Sequence, residues 1–227
     1  MLYVDASCIE NSDTFHHYLY PKGKYATGDK AGSLKYATST LWSISNNALI
    51  SDVSNAEATY YKDGLSFDIG TGDFTIMGTH QLTTSCCTTA ISETTYSGGS
   101  RRWHCRLSTK GSDSLANNFA GIGLAQNTGS WKMYYPSANA ATKLNGYYCW
   151  IITRENGVLT FYINGKSFGT CSFTGDMTVS SYQRIAVSLS SNPLYCAAVW
   201  NRALSSGEIT QLTTDTASKY NLTLSEV

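Results

Sequence analysis

The chain has 227 residues, and its 16 Lys and Arg balance 16 Asp and Glu, so the formal net charge is zero. Charged residues make up 14% of the chain against roughly 25% in an average globular protein, which excludes an electrostatic nucleic-acid binder and a coiled coil. Hydrophobic and aromatic contents of 42% and 12% exclude disorder and leave a neutral, β-rich globular protein of one domain, rich in Ser (29) and Thr (27).

Residues 1–55 are polar and contain Gly and Tyr, with apolar stretches at Leu41-Trp42-Ser43-Ile44 and Leu49-Ile50. They are expected to form an N-terminal extension that packs on the main domain, donating a strand, or that anchors to a partner. Residues 56–215 are expected to form the domain itself and 216–227 a tail. Leu65–Ile69 and Phe74–Thr84 read as extended, separated by Gly70-Thr71-Gly72-Asp73. Trp103–Ser108 alternates apolar and polar residues. Phe119–Leu124 and Trp131–Tyr135 flank the turn residues Asn127-Thr128-Gly129.

The clearest signal lies in 147–170. Tyr147–Glu155, Val158–Ile163 and Lys166–Thr170 are β-rich runs separated by Asn156-Gly157 and Asn164-Gly165. A type I′ turn needs φ > 0 at both central residues, which Asn and Gly tolerate best, so a three-stranded meander is predicted. In its middle strand Leu159, Phe161 and Ile163 share one face. Arg184–Leu189 and Leu194–Trp200 form a late pair around Asn192-Pro193. Ser205-Ser206-Gly207-Glu208 has the form of a capping box, with Ile209 and Leu212 giving a helix of about two turns. The many short strands predict an all-β sandwich or barrel with one short C-terminal helix.

The seven cysteines are odd in number and irregularly spaced, which predicts reduced, buried thiols rather than a disulfide framework. Met1–Cys8 has neither a basic start nor a long apolar run, so no secretory signal is read there. No stretch approaches the roughly 18 apolar residues of a membrane helix.

Three segments, taken in order, resemble the laminin-G-like domains of the concanavalin A-like lectin/glucanase superfamily. They are Leu65-Ser66-Phe67-Asp68 with Gly72–Ile76, the hairpin Trp150–Arg154 with Gly157–Lys166, and Ala197–Ser205 with Glu208, Ile209 and Leu212. The resemblance implies an antiparallel jelly-roll sandwich of two sheets. One departure is Met77-Gly78-Thr79-His80, where the family carries a Trp.

Glucanases of that superfamily place carboxylates at alternate positions of one strand, where they can flank a glycosidic bond. None of the six Glu here stands so beside another carboxylate, and Glu10 and Asp13 are the nearest pair. His104 and Cys105 are strand neighbours and point to opposite faces, so they form no dyad. A non-catalytic protein is expected.

Sugar recognition on such sandwiches uses exposed aromatic rings beside amide and hydroxyl groups. Trp131, Tyr134, Tyr135, Asn127 and Trp103 are the candidates for binding a glycan or a protein partner. Calcium is the one cofactor considered, through Asp68, Asp73 and Asp176 in Gly-containing loops. Unpaired thiols, a hydroxyl-rich surface and the added N-terminal segment together point to a bacteriophage virion component, a capsid or tail decoration protein carrying a lectin-like module. Such a protein is made in a reducing cytoplasm and displayed on the virion surface. Its partners would be other virion proteins or copies of itself, with a glycan or host surface as ligand, and neither nucleic acid nor membrane insertion is expected. A free carbohydrate-binding module or lectin, extracellular or at a cell surface, is the alternative.

Overall fold

The structure, a computed structural model, describes residues 2–5, 16–18, 33–35, 42–51, 56–61, 69–82, 87–95, 103–108, 121–127, 130–136, 145–177, 183–189 and 192–227. It is an antiparallel jelly-roll β-sandwich with one C-terminal helix among the described residues. The strands are β1 (Leu2–Asp5), β2 (His16–Tyr18), β3 (Ser33–Lys35), β4 (Trp42–Ser45), β5 (Ala48–Ser51), β6 (Ala56–Tyr61), β7 (Phe74–Leu82) and β8 (Cys87–Thr95). They continue as β9 (Trp103–Ser108), β10 (Gly121–Asn127), β11 (Trp131–Tyr134), β12 (Gly146–Glu155), β13 (Val158–Ile163), β14 (Lys166–Ser172), β15 (Gln183–Leu189) and β16 (Leu194–Trp200), and the helix α1 spans Ser206–Tyr220.

One sheet runs β14-β13-β12-β7-β16-β5-β4, with β1 also paired to β16; the other runs β11-β10-β9-β8-β15-β6-β3-β2. The described strands of residues 1–55 are therefore distributed over both sheets. The predicted meander forms, with Asn156, Gly157, Asn164 and Gly165 all at positive φ and a register shift between Phe161 and Tyr162 in the β13–β14 pair. The β4–β5 hairpin turns on Asn46-Asn47 at φ 51° and 60°, a pair whose side chains tolerate that region without glycine.

Between the sheets, Ile76, Trp150, Ile152, Leu159 and Phe161 meet Trp103, Cys105, Leu107, Ile122 and Leu124. A second core lies on the outer face of the first sheet, where Met77, Ile151, Tyr195 and Ala198 meet Leu204, Ile209 and Tyr220. Strands β7, β12 and β16 are thus covered on both faces. This is why β16 and the Tyr147–Ile152 part of β12 read as nearly continuous apolar runs rather than clean alternations. The capping box forms: Ser205 Oγ accepts from Glu208 N, and the Glu208 carboxylate accepts from Ser205 N. Arg202 holds the same carboxylate through two bonds of 3.0 and 2.6 Å.

Two expectations are corrected. The helix runs 15 residues, not two turns, because its buried stripe is Ile209, Thr213, Thr216 and Tyr220. Threonines in that stripe conceal the apolar period. The segments Gln183–Leu189 and Leu194–Trp200 do not pair: β15 joins β8 and β6, while β16 joins β7 in the opposite sheet. Asn192-Pro193 is a crossing between layers. Leu65–Asp68 lies outside the described residues.

Candidate functional site

The inward-facing series of two strands, one from each sheet, both end in a polar residue at the same end of the sandwich. On β12 the series Tyr148, Trp150, Ile152 continues to Arg154, which is 4% exposed. On β10 the series Ile122, Leu124 continues to Gln126, which is 5% exposed. Both reach the segment Phe173–Met177. Arg154 Nη1 donates to Gly175 O at 2.9 Å, and Gln126 Nε2 donates to Asp176 O at 2.6 Å. The Arg154 guanidinium lies 5.2 Å from the Phe173 ring centroid, and Tyr134 meets the same ring edge-on at 4.7 Å.

The segment is also tied at its ends. Phe173 N donates to Gly157 O and Met177 N donates to Gly70 O. A Cβ on Gly175 would fall on Gln126 Oε1 and the Phe173 ring, so this position admits only glycine without rearrangement. The result is a rim clamped from both sheets. Its exposed parts include Asp176, Lys132 and Tyr135, the last 46% exposed.

Several sequence candidates meet here. Asn127 and Trp131 pair across the end of the β10–β11 hairpin, and Tyr134 pairs with Leu124. Tyr134 turns toward the core and Tyr135 toward solvent. Trp103 is corrected as a stacking platform. It is 1% exposed, because it shares the inward face of β9 with Cys105 and Leu107. It does lie beneath the rim, directly across from Gln126.

The calcium candidates do not assemble into a ligand set among the described residues. Asp73 Oδ1 accepts from Asn156 N at 2.9 Å, a turn bond. The backbone carbonyl of Asp176 is taken by Gln126, and Asp68 lies outside the described residues. No group of three or more His, Cys, Asp or Glu gathers among the described residues. The guanidinium of Arg154, bonded to the adjacent carbonyl, also opposes a divalent cation there.

The rim's unmet valences are donors. Trp103 Nε1 and Arg154 Nε are both buried without a hydrogen-bonding partner among the described residues. A buried donor left unpaired costs about 1–3 kcal/mol. Sequence reasoning missed Arg154, Gln126, Phe173 and Gly175. The available signal was parity: Arg154 is the one charge on the inward face of an otherwise apolar strand.

Of the other groups considered for chemistry, Glu208 is held by Arg202 and Glu155 is exposed at a turn. His80 is fully buried in the core, and His104 lies on the face of β9 opposite Trp103 and Cys105.

No family model and no curated protein matches the chain. Solved structures match by shape. The Trypanosoma rangeli sialidase in complex with sialic acid aligns with a TM-score of 0.55 at 11% identity, over 96% of this chain and 33% of that one. The Ruminococcus gnavus IT-sialidase CBM40 bound to α2,3-sialyllactose aligns at 0.49 and 14% identity, over 71% and 94%. A native heptameric SAP-like pentraxin from Limulus polyphemus aligns at 0.46 and 15%, over 63% and 70%. At such identities the likeness is one of fold, an antiparallel jelly-roll sandwich. The chain spans a third of the length of the trypanosomal sialidase.

Proposed function

We propose that the chain is a non-catalytic, lectin-like module of the laminin-G-like type that binds an oxygen-rich ligand, a glycan, at the rim of Phe173–Met177 and the β10–β11 hairpin. The observation that carries this reading is the clamped rim itself. Tyr135, 46% exposed, stands beside it. Rigid loops bind with less ordering cost, and aromatic rings supply contact area to sugar faces. Trp131 and Asn127 are paired at the hairpin end. The fold is one shared with solved sugar-binding proteins, which supports the class of ligand but not its identity.

A glycan array read with and without Ca²⁺ tests this. Binding in at least one condition, weakened about tenfold or more by Tyr135→Ala, is expected. No binding in either condition sinks the reading. Loss on calcium removal alone would restore Asp68, Asp73 and Asp176 as ligands.

The setting we propose is a virion surface, with the chain a decoration protein. The four described free cysteines, three of them buried, agree with folding in a reducing compartment. Detection of the chain in purified particles by mass spectrometry tests that setting separately. Its absence from particles, with glycan binding intact, leaves the free lectin.

A further inference from the structure

The far end of β12 presents a different feature. The last residue of β13, Ile163, pairs with Trp150, so β13 stops short of Gly146–Cys149. On its other edge that stretch is fully paired with β7. The edge β13 leaves is occupied by two elements. Asn164 N donates to Cys149 O and Asn164 Oδ1 accepts from Cys149 N. The segment Leu222–Val227 takes the rest.

Ser225 N donates to Tyr147 O at 2.9 Å, Ser225 Oγ accepts from Tyr147 N at 3.1 Å, and Asn164 Nδ2 donates to Ser225 O at 2.7 Å. Leu224 forms a parallel bridge with Tyr147, and Leu222 and Leu224 pack against the core under the helix. Gly146 stands at φ 122°, and a Cβ there would fall on Ser225 Oγ. The slot therefore takes a Leu-x-Leu-Ser segment, and a side chain at position 146 would enter the space that Ser225 fills.

The occupant is separable from the helix that precedes it. Asn221, at φ 53°, ends α1, and Leu222 N bonds back to Ala217 O. Beyond that point the segment bonds to Tyr147 and Asn164 through Ser225. Its six residues, extended, reach about 20 Å. The segment can lift while the helix stays capped and docked.

We propose that Leu222–Val227 is an exchangeable strand, and that the slot beside Gly146–Cys149 accepts the same segment from a second copy of this chain. The exchanged contacts are the ones already made within one copy, so swapping needs no new complementarity.

Two variants test it. Gly146→Val closes the slot and leaves the segment free to dock elsewhere. A chain ending at Asn221 has an open slot and no segment. Mixed in equal amounts, they are expected to form a complex of twice the monomer mass by light scattering, while each alone stays monomeric. Folded variants that form no complex overturn the proposal.

Should either variant fail to fold, hydrogen exchange on the intact chain decides. If the segment opens independently, the amides of Tyr147 and Ser225 exchange about tenfold faster than that of Ile152. Equal rates at the three positions overturn the proposal. A synthetic Asn221–Val227 peptide provides a third readout. It is expected to raise the melting temperature of the shortened chain, and a Leu224→Asp peptide is not.

Discussion

Trp150 Nε1 donates to His80 Nδ1 at 3.2 Å, with the two rings nearly coplanar and both residues fully buried. The bond fixes the imidazole as an acceptor at Nδ1, so His80 carries its proton on Nε2 and is neutral. Burial holds its pKa down at about 3. In the unfolded chain it titrates near 6.5. Between those values the unfolded state binds the additional proton, so stability rises with pH and is lost as pH falls from 6.5 toward 3. The slope from one such group reaches about 1.4 kcal/mol per pH unit. Urea melts at several pH values should show this slope. His80→Gln, which keeps an acceptor for Trp150 and cannot titrate, should flatten it between pH 6.5 and 4.5. An unchanged slope in that variant would place the acid sensitivity elsewhere.

The helix start offers a contrasting window. Glu208 is held down to about 2 by its bonds to Arg202 and then by the Ser205 backbone. That contribution is complete above the ordinary carboxylate range and disappears as pH falls toward 2. Ser205→Ala, which removes the cap donor–acceptor pair, is expected to cost about 1 kcal/mol by thermal melts at neutral pH. Glu208→Gln should destabilise in the same direction, and its effect should shrink in acid.

At the rim, Arg154→Met keeps the stem over Phe173 and removes the bond to Gly175 O. A loss of about 1–3 kcal/mol is expected from the carbonyl left unpaired. Faster exchange at the Met177 amide, which is bonded to Gly70 O, is the local readout. Gly175→Ala should produce the same local loosening with Arg154 in place, because its Cβ displaces Gln126. If neither variant alters exchange at Met177, the clamp does not hold the rim.

Thiol chemistry gives an independent check on the sandwich. Burial pushes the Cys149 thiol up to about 11 and raises that of Cys105 further. Thiolates are the reactive form, so both should resist iodoacetamide at pH 8 in the folded protein and label readily in urea. Peptide mass spectrometry after timed labelling reports this. Rapid native labelling of Cys105 would contradict its place between the sheets.

The meander was legible because Asn156-Gly157 and Asn164-Gly165 encode their turns within two residues. Its middle strand shows the expected parity, with Leu159, Phe161 and Ile163 buried and Val158 exposed. The crossing at Asn192-Pro193 was not legible, since two adjacent strands read alike whether they pair or change sheets. The long helix was hidden by Thr213 and Thr216, buried positions whose hydroxyls depress any apolar pattern. At the rim, aromatic and Asn side chains drew attention to the β10–β11 hairpin. The rim is held by Arg154 in β12, in the opposite sheet, and by Gln126 on the hairpin's own inward face, and only the topology joins them.

Because α1 covers one sheet, the molecule has a back and a front. Thr214, Asp215 and Ser218 are exposed on that back, away from the β10–β11 hairpin in the other sheet. A single linker installed at Thr214 would therefore tether every copy in one orientation, with the sheet that carries the β10–β11 hairpin turned outward. Random attachment through lysines would not, since Lys132 lies in the hairpin itself. Surface-based binding measurements on this protein depend on that choice of handle.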